Sequence, residues 1–334
     1  MSNVASLKRT ADFIRQFWLQ SQPRDRELEL GANFSHRYVA ELGLSWESVY
    51  GTLVNALGVR YLRIPTYWDE IEPCRRQFDW SLLDRILTIA DAAQISVVLT
   101  VGHRSPRWPE CYCPTWAKSL DDHEFTQCLL QYVATVVAHT KHFNCIEAWQ
   151  LENEPTASRW GVGCRDLTAI LQTEIEVVKQ QDPQRPILLT YPNLPWLISM
   201  HHPIISLADI VGIDVYNTVY FRHSQYAGYI DLLNLGIVAP LSLQYQRHCA
   251  EKCAKELWIT ELQAEPWGPT HNATLSRTEW QKSMTPAKLI QLVNQARQSG
   301  IRRAYLWGVE WWIFEQEQHG NAAMWETGKS LLCH

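Results

Sequence analysis

Short apolar runs alternate with polar loops and amphipathic segments along most of this chain. Eight runs have the length and character of buried strands, and they are GANFS, VRYLRI, ISVVLTV, the run that ends at Leu151, PILLTY, ADIVGIDVY, ELWITE and IRRAYLWG. Helical spacing of apolar residues recurs between them, as from Leu82 to Ala93 and over 124–140, about 165–181 and 285–298. Buried strands alternating with helices predict a closed parallel (β/α)8 barrel, the TIM barrel fold, as one α/β domain over residues 29–334.

The N-terminal segment has a different pattern and lies outside the predicted barrel. Leu7, Ala11, Ile14 and Trp18 share one helical face, so residues 1–28 are predicted to be a lead-in helix and loop. A doubly wound open sheet is the alternative fold for the remainder. No glycine fingerprint follows the first strand, which disfavours a nucleotide-binding sheet.

Composition narrows the classes of partner. The 334 residues are 46% hydrophobic and 19% charged, with a net charge of -5, so they supply a large core and no basic surface for nucleic acid. A neutral substrate is expected. No apolar run approaches the length of a membrane span, and nothing in the sequence indicates an oligomeric state.

Cysteine usage leads to an expectation about compartment. The nine cysteines are an odd number, and none is spaced as in a CxxC pair or a zinc ribbon, so we expect free thiols and no metal. Lys8, Arg9 and Arg15 occupy the region where a signal peptide needs an apolar core. The expectation is a cytoplasmic protein without a cofactor.

Two glutamates follow predicted strands and are the candidates for chemistry. Glu154 lies in LENEP after the fourth strand, and Glu261 ends the seventh strand in WITE. Carboxylates at the C-terminal ends of barrel strands face the mouth, and a pair of them can cleave a glycosidic bond. We predict Glu154 as the acid, with an apolar strand behind it, and Glu261 as the nucleophile. The Asn153 amide is predicted to hold a sugar hydroxyl.

The order of these motifs resembles the clan A glycoside hydrolases, which include cellulases, β-galactosidases, β-mannanases and β-xylosidases. The resemblance rests on Asn153, Glu154 and Pro155 after strand four and on Glu261 in ITEL, and it covers roughly residues 30 to 330. RYLRIPTYWDEIEP followed by FDWSLLDRIL is also similar to the second strand and helix of clan members. No single family within the clan is indicated.

The resemblance implies further site residues and a carbohydrate substrate. It places Arg63 beneath the nucleophile, Tyr216 in a hydrogen bond to it, His103 on a sugar hydroxyl and Trp307 as the floor of the sugar site. Separately, Trp267 and Trp311 lie beyond strand ends and are candidate sugar platforms. Glu152 and Glu265 are two further acids near the pair, and Glu265 is a candidate substrate contact.

The predicted function is therefore retaining hydrolysis of β-glycosides by double displacement, with the two carboxyl groups about 5 to 5.5 Å apart. Three alternatives stay open. A transglycosylase would use the same residues and exclude water as acceptor. A non-catalytic carbohydrate-binding barrel would keep the shape without turnover, and a metal-dependent hydrolase would need clustered histidine and aspartate ligands.

Overall fold

A computed structural model describes residues 27–156, 161–192, 206–223, 226–232 and 240–332. The predicted helix over residues 7–20 and almost all of the predicted lead-in segment lie outside these residues. No helix in the described part of the chain has the length and apolarity that crossing a membrane requires.

Eight parallel strands close into a barrel, which confirms the predicted fold. They are β1 (Glu29–Asn33), β2 (Tyr61–Pro65), β3 (Ser96–Val101), β4 (Ile146–Leu151), β5 (Ile187–Pro192), β6 (Ile210–Val215), β9 (Glu256–Gln263) and β10 (Arg303–Trp307), with a separate antiparallel hairpin of β7 (Thr218–His223) and β8 (Tyr226–Asp231). The order around the barrel is β1-β10-β9-β6-β5-β4-β3-β2. Because all eight are parallel, their C-terminal ends form one mouth.

Helices surround the barrel and mostly follow the predicted bounds. They are α1 (His36–Glu41), α2 (Trp46–Asn55), α3 (Trp68–Ile71), α4 (Ser81–Ala92), α5 (Asp122–Thr140), α6 (Leu171–Gln181), α7 (Pro240–Lys252), α8 (Arg277–Ser283), α9 (Pro286–Ser299), α10 (Val309–His319) and α11 (Ala323–Leu332). Thr285 caps α9 by accepting from the Lys288 amide, and Pro286 occupies the first turn, as predicted. The prediction for α6 was wrong at its start, because the chain from Arg165 to Ile170 is non-helical apart from turns.

Two apolar layers hold the barrel. The inner layer consists only of strand residues, namely Val98, Ala148, Leu188, Ile210, Trp258 and Tyr305. Below it, at the N-terminal ends of the strands, the Arg303 guanidinium pairs with Glu29 and Glu147 and lies 3.9 Å from the centre of the Tyr61 ring. The outer layer packs the strands against the helices. Apolar side chains and the Arg303 ion pairs therefore fill the interior towards the N-terminal ends of the strands. The polar side chains of the site lie near the mouth, at the C-terminal ends.

Candidate active site

The predicted nucleophile, Glu261, is held by two of the predicted partners. Arg63 Nη1 donates to Glu261 Oε1 at 2.9 Å, and the Tyr216 hydroxyl donates to Glu261 Oε2 at 2.5 Å. Glu261 is 6% exposed, so these contacts replace most of its hydration. Charge-assisted hydrogen bonds to both oxygens stabilise a carboxylate. The geometry thus confirms the predicted contacts, while the role of nucleophile stays a prediction.

Arg63 lies at the centre of a buried polar network. Besides Glu261, its guanidinium donates to Gln150 Oε1 at 2.7 Å, to Asn33 Oδ1 at 2.9 Å and to Asn153 Oδ1 at 2.7 Å. Asn33 in turn donates to the carbonyl of Thr260 at 3.0 Å. The network therefore joins β1, β2, β4 and β9. Gln150 and Asn33 were missed by the sequence analysis, because each looks like an ordinary polar residue until the barrel closes.

The predicted acid, Glu154, is in an environment that favours its protonated form. It is 6% exposed, and burial raises its pKa to about 7; a hydrogen bond from Asp214 opposes the rise and the charge of Glu261 adds to it. Its amide donates to Thr190 Oγ1 at 2.8 Å. A carboxyl group that is still partly protonated near neutral pH can deliver a proton to a leaving oxygen.

Asp214, in β6, is a site residue that the sequence analysis missed. Thr260 Oγ1 donates to Asp214 Oδ1 at 2.9 Å. Burial raises the pKa of Asp214 well above its ordinary value, and the charges of Glu261 and Glu154 raise it further. Its raised pKa favours the neutral form of Asp214, in which its carboxyl group can donate a hydrogen bond to Glu154. Its signal in the sequence was a lone carboxylate in the apolar run IVGIDV, two residues before Tyr216.

Glu152 is turned away from the mouth and is not available as a substrate contact. Its side chain is fully buried and accepts hydrogen bonds from the amides of His103, at 2.8 Å, and Arg104. Burial raises its pKa to about 7 and raises that of Glu174 in α6 well above its usual range, so burial favours the protonated form of each. Gly102, with φ of 140°, makes room, since a Cβ there would collide with the Glu152 carboxyl group.

His103 also lies behind the barrel wall, which corrects its prediction as a ligand for a sugar hydroxyl. The ring is 0% exposed and packs edge-on against Trp68 and Phe125 in the surrounding helices. Burial lowers its pKa to about 4, with Arg104 acting in the same direction and the Gly163 backbone opposing it. His103 follows the end of β3 by two residues, and its ring lies between Trp68 of α3 and Phe125 of α5.

Glu265 is engaged by the protein itself, and so is Trp307. Arg107 forms ion pairs with Glu265 and, at 3.4 Å, with Glu310. Glu265 also accepts a hydrogen bond from the Tyr38 hydroxyl. The Arg107 guanidinium carbon lies 4.0 Å from the centre of the Trp307 ring. That guanidinium covers one face of the Trp307 ring, and the role of Trp307 as floor of the sugar site stays a prediction. Glu265 is 5% exposed, about as buried as Glu154 and Glu261, and its role as a substrate contact also stays a prediction.

The two remaining tryptophan candidates separate clearly. Trp311, in α10, is 0% exposed and packs against Trp280, so its prediction as a sugar platform was wrong. The cause is its position on the core side of α10 rather than at the mouth. Trp267 is half-buried, and its ring meets the Tyr216 ring edge-on at 5.0 Å. Trp267 therefore stays a candidate platform beside Glu261.

A disulfide joins the loops that follow β3 and β4. Cys111 is bonded to Cys164, which corrects the expectation that all cysteines are free, whereas six other described cysteines are free thiols. Glu110, next to Cys111, pairs with Arg104 at 2.6 Å. Burial is the main cause that raises the pKa of Glu110 to about 8. The charges of Glu154 and Glu261 raise this pKa further, whereas Arg104 lowers it. Together with Asp214, Glu110 is a further carboxyl group near the pair, and the sequence analysis did not single it out.

A family model matches part of the chain. The model described as "Glycosyl hydrolase family 10" matches residues 65–171, which include β3, β4 and Glu154. No curated protein matches the chain.

Solved structures of glycosidases share the fold. A cold-adapted β-galactosidase from Rahnella sp. R3 has a TM-score of 0.62 at 12% identity, covering 93% of this chain and 56% of the other. The exo-β-1,4-mannosidase Op5Man5 from Opitutaceae bacterium strain TAV5 has a TM-score of 0.62 at 18% identity, covering 92% and 59%. Xylanase 10B from Thermotoga maritima has a TM-score of 0.58 at 14% identity, covering 84% of this chain and 83% of the other.

The closed barrel and its paired glutamates define the class of protein as a barrel of the glycoside hydrolase type. More particularly, the family match and the structural neighbours confirm the resemblance to the clan A glycoside hydrolases, without placing the chain in one family. The chain spans only 56% of the β-galactosidase and 59% of the mannosidase.

Arg63 should be essential to stability as well as to the site. Replacing Arg63 with Met leaves the buried Glu261 without its cation, so the free energy of unfolding is expected to fall by about 3 to 5 kcal/mol, measured by denaturant titration. Arg85→Met is the control, because the Arg85 side chain is 61% exposed and should cost under about 0.5 kcal/mol. Equal losses in the two variants would contradict the role given to the network.

Asp214 should set the alkaline limb of the pH profile. A neutral Asp214 donates to the ionised form of Glu154 and thereby lowers the pKa of Glu154. Asp214→Ala removes this donor, so the alkaline limb of kcat/KM should move to higher pH, whereas Asp214→Asn keeps a donor and should leave the limb near that of the wild type. A shift to lower pH in the alanine variant would refute the arrangement.

The disulfide predicts a difference in thiol count. Titration of the denatured protein should find two more thiols after reduction than before it, because only Cys111 and Cys164 are bonded among the described cysteines. The double variant Cys111→Ser, Cys164→Ser should show no such difference. An unchanged count in the wild-type protein would show that the two thiols are not joined.

Proposed function

We propose that this chain is a retaining β-glycoside hydrolase that acts through Glu154 and Glu261. The observation that carries the proposal is the contrast between the two carboxyl groups. Glu261 accepts hydrogen bonds from Arg63 and Tyr216, which suits a charged nucleophile, whereas burial raises the pKa of Glu154 to about 7, which suits a proton donor.

The first half of the reaction forms a glycosyl ester. A Glu261 oxygen attacks the anomeric carbon while the bond from that carbon to the aglycone oxygen breaks, and Glu154 gives its proton to the departing oxygen. Arg63 Nη1 and the Tyr216 hydroxyl orient the attacking carboxylate. Asn153 Oδ1 is occupied by Arg63, so the Asn153 amide nitrogen is the group left to bind a sugar hydroxyl.

The second half returns the enzyme to its initial state. Glu154, now ionised, takes a proton from water as that water attacks the anomeric carbon, and the ester bond to Glu261 breaks. Two displacements at the same carbon retain its configuration. Proton NMR of the sugar released at early times tests this stereochemistry directly.

A cytoplasmic location is part of the proposal. The six free thiols among the described cysteines favour a reducing compartment, since secreted proteins usually bond their cysteines. The Cys111–Cys164 bond weighs against this location, because cytosolic reductants keep most thiols reduced.

Substitution of the two glutamates separates their roles. Glu261→Gln removes the nucleophile, so hydrolysis of every aryl β-glycoside should fall by several orders of magnitude, whatever the leaving group. Glu154→Gln removes only the acid, so 2,4-dinitrophenyl glycosides should still form the ester, and azide should restore turnover. Both effects are measured by dinitrophenol and nitrophenol release.

Glu279→Gln is the matched control, because Glu279 pairs with Lys282 on α8 and should leave kcat/KM unchanged. The assignment fails if Glu261→Gln keeps substantial turnover, or if azide rescues that variant with retained configuration. Sugar binding without turnover of any aryl β-glycoside by the wild-type protein would instead favour a non-catalytic barrel.

A further inference from the structure

The loop from Gly102 to Pro114, here named the crossing loop, does not stay beside β3. Its Arg107 contacts four side chains from other parts of the rim, and they are Glu265 after β9, Trp307 at the end of β10, Glu310 in α10 and Tyr38 in α1. A loop that begins at β3 therefore reaches the ends of β9, β10 and β1. It crosses the mouth of the barrel on that side.

Arg107 is fixed firmly at this position. Its side chain is 10% exposed, and its two carboxylate partners are 7% and 0% exposed. Its guanidinium carbon also lies 3.6 Å from the centre of the Tyr38 ring and 4.0 Å from that of Trp307. Moving Arg107 would leave Glu265 and Glu310 buried without a cation, which is costly. Gly308, with φ of 95°, makes room for this arrangement, because a Cβ there would collide with Glu265.

The opposite end of the crossing loop is anchored independently. Cys111 is bonded to Cys164, and the Val162 amide donates to the Pro109 carbonyl at 3.0 Å. The Arg104 guanidinium, near the start of the loop, donates to the Asn153 carbonyl at 2.8 Å. The loop is thus tied to the segment after β4 as well as to the rim at β9 and β10, so it is a wall rather than a movable flap.

The closed side can be assigned relative to the chemistry. The aglycone departs beside the acid Glu154, which follows β4, whereas the sugar that becomes esterified lies against Glu261 on β9. Arg107 and its partners stand at β9, β10 and β1, beyond Glu261 and away from Glu154. The wall therefore closes the cleft behind the esterified sugar. Tyr216, just after β6, and Trp267, which follows β9 and packs against Tyr216, are by contrast only half-buried.

We propose that the crossing loop, through Arg107, limits the glycosyl side of the cleft to one sugar, so that the enzyme removes single terminal sugars in exo fashion from short β-glycosides. A second sugar on that side would have to occupy the volume of the Arg107 guanidinium and its two carboxylates. This inference rests on the proposed hydrolase function and adds the class of substrate to it.

Products from paired aryl substrates test the inference. The wild-type protein is given p-nitrophenyl β-monosides of glucose, galactose, mannose and xylose and the corresponding p-nitrophenyl β-1,4-biosides, and early products are separated by chromatography. We expect direct release of nitrophenol from a monoside. The matching bioside should either resist cleavage or lose its terminal sugar first, with nitrophenol appearing after a lag.

Release of an intact disaccharide together with nitrophenol at the earliest times would overturn the inference while leaving the hydrolase function in place. Absence of hydrolysis of every substrate would overturn the proposed function, and the inference would fall with it. The two failures are therefore distinguishable.

A double variant tests whether Arg107 is the cause. Arg107→Ala combined with Glu310→Gln removes the guanidinium together with the negative charge of Glu310, one of its two buried carboxylate partners. Because Glu310 is then not left as an unpaired buried charge, the loss of stability is limited. The ratio of kcat/KM for direct disaccharide release to kcat/KM for the monoside should rise at least about tenfold in this variant. Arg85→Ala is the control, because Arg85 also stacks on a tryptophan, 4.8 Å from the centre of the Trp46 ring, but is 61% exposed.

A ratio that stays at the wild-type value, in a double variant that keeps its circular dichroism spectrum and monoside activity, would show that Arg107 does not limit the site. If that variant fails to fold, the wild-type product pattern alone decides the inference.

Discussion

The buried guanidinium of Arg63 is the contact on which the mouth of this barrel depends. It donates hydrogen bonds to side chains from three other strands and from the segment after β4. It therefore links these strands at the mouth of the barrel and also holds Glu261 in place. A buried cation is expensive unless every donor is used and an anion is near. The need to satisfy Arg63 therefore explains the amide side chains of Asn33 in β1, Gln150 in β4 and Asn153 just after β4.

A second buried arginine, Arg107, also needs carboxylate partners, and it lies at the rim of the barrel, where it determines the shape of the cleft. Arg107 is neutralised by Glu265 and Glu310, and its flat face is covered by aromatic rings. Arg63 and Arg107 thus divide the mouth into a reactive centre and a closed side. Carboxyl groups pair with arginine in both places, Glu261 with Arg63 and Glu265 with Arg107.

The sequence was sufficient for the barrel and for the pair of glutamates, because strand periodicity and strand-end position are local properties. It was insufficient wherever the direction of a side chain decided the outcome. His103 and Glu152 stand at strand ends as the active residues do, yet both point to the helix side and are fully buried. Trp311 follows a strand end, but the turn of α10 carries it into the core. Asp214 and the Cys111–Cys164 bond depend on contacts between distant segments, which no spacing in the chain reveals.

Three buried carboxyl groups with raised pKa values make the stability of the fold depend on pH. Burial is the first cause that raises the pKa of Glu152 and Glu154 to about 7 and of Glu110 to about 8. An unfolded chain would release these protons near pH 4.5, so the folded state holds more protons than the unfolded state between that pH and about 7 to 8. Across this interval each such group makes folding less favourable as pH rises. The rise in pH that removes the proton Glu154 must donate therefore also removes the contribution of these three carboxyl groups to the stability of the fold.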